Sequence, residues 1–272
     1  MRLIFIFLLL ILTAPARAHE FWIDPQTYVF QQGSPITARL FTGQNFAGIE
    51  TPYFPNSFRR FEVVLGDRVE HVAGRLGDRP ALVMAALGEG LHVALHETAG
   101  DTLIYQDFDL FTQFVTGKDL SGALARHAAR GLPQSGFSEF YTRHAKALLA
   151  VGNGAGQDRS FGLETEIVAL KNPYTDDVVE GLPILVLMNG VPRIDVQVEL
   201  FDKDADGQVV VTLHRTDAEG VAVLPVTRGH RYLVDAVVLR EPASGSVAAE
   251  KNAVWETLWA ALTFAVPYQS LP

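Results

Sequence analysis

The 272-residue chain carries 22 basic against 31 acidic residues, a formal net charge of −9 at pH 7, with 48% hydrophobic residues and no cysteine. The missing cysteines exclude a disulfide framework and any thiolate metal site, and the acidic balance argues against nucleic acid as a partner. A chain of this length and apolar content can bury one or two domains.

The chain opens with Arg2, an apolar run from Ile4 to Leu12, and Ala16-Arg17-Ala18. A positive start, a short apolar stretch and a small-x-small site predict a secretory signal peptide over residues 1–18. The run is about half the ~20 residues that a spanning helix needs. No cysteine follows it, so lipid attachment of the lipoprotein type is excluded. The expected mature chain begins at His19, has no transmembrane segment, resides in the periplasm and, with 20 basic and 31 acidic residues, carries −11.

From residue 19 to 116, short apolar stretches such as "TYVFQQGSPITARLFTG", "FEVVLGDRVEHVAG", "ALVMAALGEGLHVALHET" and "DTLIYQDFDLF" alternate with Gly, Pro and Asp. Val, Ile, Phe and Tyr with such punctuation predict an antiparallel β domain. Residues 117–160 read differently. "KDLSGALARHAARGLPQSGFSEFYTRHAKALLAV" has the Ala, Leu, Arg and Lys content of a helical hairpin broken at Gly131-Leu132-Pro133, with Phe137, Phe140, Tyr141, Ala145 and Leu148 on one face of its second helix. "GNGAGQDRS" follows as a glycine-rich linker. Residues 161–272 return to strand sequence, with alternating rows at Val196, Val198 and Leu200 and at Tyr232, Val234, Ala236 and Val238, and turn signals at Asn189-Gly190, Asp206-Gly207, Glu219-Gly220 and Arg228-Gly229. The expected fold is therefore mainly β, two antiparallel sandwich regions of Ig-like or prealbumin-like type with a helical hairpin inserted between them.

The chemistry centres on His19. As the first mature residue it offers its α-amine and its own Nδ1 to one ion, and another imidazole would complete three nitrogens around Cu(II), Ni(II) or Co(II). The amine's ordinary pKa of roughly 7.7–8.0 lets a metal displace its proton near neutrality. "LHVALHE" supplies His92 and His96, on one strand face but about 13 Å apart along it, so only one of them joins His19 at an unbent strand. Glu20 and Asp24 are nearby carboxylates in sequence. His127 and His144 fall on the expected helices, and His71 on a polar strand. "DKDADG" at 202–207 superficially resembles a calcium loop, but Leu213 stands where the bidentate Glu belongs, which predicts a charged hairpin turn. No Cys nucleophile, G-x-S-x-G elbow or Ser/His/Asp order is present.

The segments "AHEFWIDP", "RHAARGLPQSGFSEFYTRHAKALLAVGNGAG", "EIVALKNPYTDD" and "TLHRTDAEGVAVLPV", with "YLVDAVVLRE" and "WETLWAALTFAVP" at the end, resemble an exported bacterial family of unknown function that includes NikM-type accessory components of nickel and cobalt uptake. The resemblance implies a periplasmic metal-related protein with a ligand histidine at the mature start, a position that only His19 matches. The expectation is a metal-binding protein of nickel or cobalt handling, with His96 or His92 as the extra ligand and an inner- or outer-membrane transporter as partner. An oxidative enzyme with a copper histidine brace and a metal-free β-module are the rival readings.

Overall fold

The structure, a computed structural model, describes residues 19–271; the expected signal peptide, residues 1–18, lies outside them. In chain order the first part contributes β1 (Glu20–Pro25), β2 (Val29–Phe30), β3 (Pro35–Gln44), β4 (Ala47–Thr51), β5 (Phe58–Leu65), β6 (Arg68–His71), β7 (Leu82–Ala85), β8 (Gly90–Thr98) and β9 (Asp101–Tyr105). Helices α1 (Phe108–Gly117) and α2 (Ala123–Ala129) follow, then β10 (Phe137–Val151). The remainder is β11 (Thr165–Ala169), β12 (Leu182–Met188), β13 (Val191–Pro192), β14 (Gln197–Lys203), β15 (Val209–Arg215), β16 (Val221–Leu224), β17 (Arg231–Arg240), a short α3 (Val247–Glu250) and β18 (Trp255–Ala265).

The mainly β architecture agrees with the alternating apolar rows. Three sheets form: β1-β3-β4 with β7 on β3, a long central sheet ordered β15-β14-β17-β18-β10-β8-β5-β6, and β11-β12-β13 with β16 on β12. Alternate residues of β10 face opposite neighbours. Arg143 bonds to His19, beside β1, whereas Lys146 bonds to Glu166 of β11. The central sheet thus has the first sheet on one face and the third on the other, two sandwich interfaces sharing a middle layer.

The helical hairpin exists, but not over the residues expected of it. The second expected helix is the strand β10, fifteen residues long. It pairs in parallel with β18 and antiparallel with β8 and β9. Residues 144–151 of β10 are buried throughout, on both faces. A strand covered on both sides reads as a continuous apolar run, which periodicity cannot distinguish from a helix, and sheet neighbours outweigh the helix propensity of Ala and Leu. Conversely, "DFDLF" leaves the β pattern: Asp107 caps α1 by accepting the Asp109 N–H, and the helix buries Phe111 and Val115.

Candidate functional site

Strands β1, β3, β8 and β10 meet around a cleft of about 420 Å³ whose wall includes Phe21, Thr42, Ser57, His96, Asp101, Tyr141 and Arg143. His96 is 2% exposed, and neither ring nitrogen has a hydrogen-bond partner. Its ring lies 4.9 Å from Phe21, 4.9 Å from Phe61 and 5.3 Å from Phe58, centroid to centroid. Burial pushes its pKa down to about 3, so the imidazole is neutral, with one N–H and one lone pair, both unmatched. Each unsatisfied buried group costs about 1–3 kcal/mol, which packing against three phenylalanines does not explain.

The first described strand borders the same cleft. His19 immediately precedes β1, and Phe21, two residues on and therefore on the same strand side, touches His96. Arg143 Nε donates to the His19 carbonyl at 3.2 Å, while its guanidinium lies 4.4 Å from the Tyr141 ring centre. Burial lowers the Arg143 pKa, opposed by Tyr141 and by the Glu139 and Glu20 charges. Phe21 of β1 and His96 of β8, strands of different sheets, thus meet at this cleft through tertiary packing, and Arg143 of the same wall holds the His19 carbonyl.

His92 is placed otherwise. Its Nε2 accepts the Leu87 N–H at 3.1 Å and its Nδ1 bonds to the Gly90 carbonyl at 3.2 Å, so both nitrogens brace the turn from β7 into β8. Burial lowers its pKa, against the opposing pull of the Gly90 bond. Asp24 is committed to Arg39 at 2.6 Å. Of the other histidines, His127 stays helical but is buried, accepting from Trp255 Nε1 through Nδ1 and bonding to the Pro133 carbonyl through Nε2. His144 lies on β10 and not on a helix, its pKa lowered to about 4 by burial. His71 sits on the exposed β6, and "DKDADG" forms the turn between β14 and β15.

A second constellation was not anticipated. Glu20, Glu199 and Asp235, from β1, β14 and β17, bring carboxylate oxygens within 4.8 Å of one another, a spacing that can hold a metal ion. A cation of the protein already stands there: Lys118 Nζ lies 2.9 Å from Glu20, 2.7 Å from Glu199 and 3.0 Å from Asp235, and 4.8 Å from the Trp259 ring centre. Burial pulls the Lys118 pKa down, but the carboxylates of Asp235, Glu20 and Glu199 together hold it above its ordinary value. Asp235 is pushed up to about 7 by burial, against Lys118 and with the help of Glu20 and Glu199. The sequence does carry a signal for it, a lone acid inside the apolar run "YLVDAVVL". Among the described residues no helix is long and apolar enough to cross a membrane.

A mainly β protein with a histidine-bearing cleft beside its first described strand is the class defined so far. The chain belongs to the family described as a domain of unknown function, DUF4198, whose profile matches residues 16–240. Comparison with curated proteins gives no match. Among solved structures, the tetra-tandem repeat in the extending region of a large adhesion protein aligns at 12% identity over 92% of this chain, with a TM-score of 0.23. This chain covers 50% of that one.

Proposed function

We propose that this protein binds one transition-metal ion at the cleft, through the α-amine and Nδ1 of His19 and a ring nitrogen of His96, and serves nickel or cobalt handling in the periplasm beside a membrane transporter. The observation that carries this reading is the buried His96 ring without a partner for either nitrogen, set in a cleft whose wall includes Phe21, two residues from His19. A metal would satisfy one lone pair there, and nitrogen donors suit Ni(II), Co(II) and Cu(II). The likeness of "AHEFW" and of the closing strands to the nickel and cobalt accessory proteins supports the choice of metal. Arg143 on the same wall favours an anionic co-ligand on the bound ion.

The test is calorimetric titration with Ni(II), Co(II) and Cu(II) of a chain that starts at His19, of the same chain with one added N-terminal Gly, and of His96→Phe. One equivalent should bind the first tightly, and both alterations should weaken it at least tenfold. Equal binding by all three chains would sink the reading.

A further inference from the structure

On the face of β10 opposite the histidine cleft, Lys146 is closed off from solvent with two carboxylates. Its Nζ lies 2.8 Å from Asp158 Oδ1 and 3.0 Å from Oδ2. Glu166 Oε1 is 3.2 Å away, and all three side chains are 1% exposed. Nζ also donates to the Arg159 carbonyl at 3.1 Å and lies 5.0 Å from the Phe161 ring centre. The connection from β10 to β11 makes this meeting possible: Gly152 and Gly154, at φ of 61° and 62°, turn the chain so that Asp158 returns over the strand it has just left.

We propose that Lys146 and Asp158 are joined by an intramolecular isopeptide bond, with Glu166 carrying the proton that the condensation moves. Nζ touches both Asp158 oxygens, which by carboxylate geometry puts Cγ inside the roughly 3–3.5 Å range of reacting atoms. Burial raises the Asp158 pKa, against Lys146 and the backbone donors, and so favours proton transfer from the ammonium to the carboxylate. The neutral amine then attacks the neutral acid at Cγ. Glu166 takes one Nζ proton and returns it to the departing hydroxyl; the C–N bond forms, the C–O bond breaks and one water leaves, with no change of oxidation state.

The surroundings fit the steps. The Ser160 hydroxyl at 2.8 Å and the Phe161 N–H at 2.9 and 3.1 Å aim Glu166 at Nζ. The Ala169 N–H holds Asp158 Oδ2 and the Arg159 N–H holds Oδ1, each at 2.8 Å, so whichever oxygen carries the negative charge during attack meets one backbone donor.

Peptide mass spectrometry of the purified, denatured and trypsin-digested protein decides it. A linked chain yields residues 144–159 as one peptide, uncut at Lys146, lighter than its sequence by one water and without fragments from between residues 146 and 158. Asp158→Asn should give a linked peptide of the same mass as the linked wild type, because ammonia leaves in place of water. Glu166→Gln, shown to be folded by circular dichroism, should give an unlinked peptide cut at Lys146. A wild-type digest cut at Lys146 and of full mass overturns the bond, and linkage in a folded Glu166→Gln variant overturns the role of Glu166.

Discussion

Lys118, at the end of α1, donates to Asp235 in the middle of β17 at 3.0 Å, across 117 positions of sequence. With Glu20 and Glu199 on the same ammonium, this single side chain ties the helical pair to the first strand and to the C-terminal strands.

Removing that ammonium strands three carboxylates in a buried site. Lys118→Met is expected to destabilise the protein by about 3–5 kcal/mol, the usual cost of breaking a buried ion pair from one side. Urea unfolding measures it, and a loss below about 1 kcal/mol would show that Asp235 and its neighbours relax by taking up protons or water.

Glu139 makes stability depend on pH. It accepts from the Tyr105 hydroxyl at 2.9 Å and from the Thr257 hydroxyl, yet burial pushes its pKa up to about 7 from 4.5. A carboxyl raised in the folded state gives stability that is present below about pH 4.5 and lost as pH rises through about 7. The lowered histidines His96 and His144 act oppositely, their stabilising effect still growing as pH rises through the unfolded value of 6.5. Between pH 6.5 and 8, Glu139 and Asp235 therefore each pull stability down, against the rise contributed by the two histidines. Glu139→Gln should remove the downward pull of Glu139, so that between pH 6.5 and 8 its urea midpoint falls less, or rises more, than the wild type's; an identical pH dependence would contradict a pKa near 7.

His96→Phe should separate stability from binding. In the metal-free protein the substitution replaces two unsatisfied nitrogens by ring carbons among Phe21, Phe58 and Phe61, so Tm should hold or rise. Added Ni(II) or Cu(II) should raise the Tm of the wild type and leave that of the variant unchanged. A large loss of stability without metal would mean that the imidazole has partners within the fold.

Gly100 borders the cleft at a φ of 89°, and a Cβ there would come within 2.3 Å of a Phe140 ring atom. Gly100→Ala combines left-handed strain with overpacking and should cost at least about 1–3 kcal/mol. Thermal melting checks this, and a neutral result would require that the Phe140 ring move aside.

Much of the fold was readable because half-buried strands keep their period of two: Val198 and Leu200 on β14 point inward, and Glu199 stands on the other side. β10 was not readable, since Ala145 to Val151 are covered on both faces and lose that period. At the candidate site, His19 and His96 could each be picked out as nitrogen donors from residue type and position. Which of the two "LHVALHE" histidines keeps its nitrogens unbonded depends on the Leu87 and Gly90 backbone groups around His92, and local spacing carries no trace of them.

The amino-acid sequence by itself determined the β character, the glycine-marked turns, the absence of thiol chemistry and the histidine at residue 19, because each follows from side-chain pattern or composition over a few neighbouring positions. Only the tertiary structure decided that Lys118 meets Glu20, Glu199 and Asp235, that His96 shares a cleft with Phe21 of the first described strand, and that Lys146 is shut in with Asp158 and Glu166. These meetings join residues from separate strands and loops. Their energies depend on burial and on distances of a few ångströms, quantities that exist only once the sheets have packed.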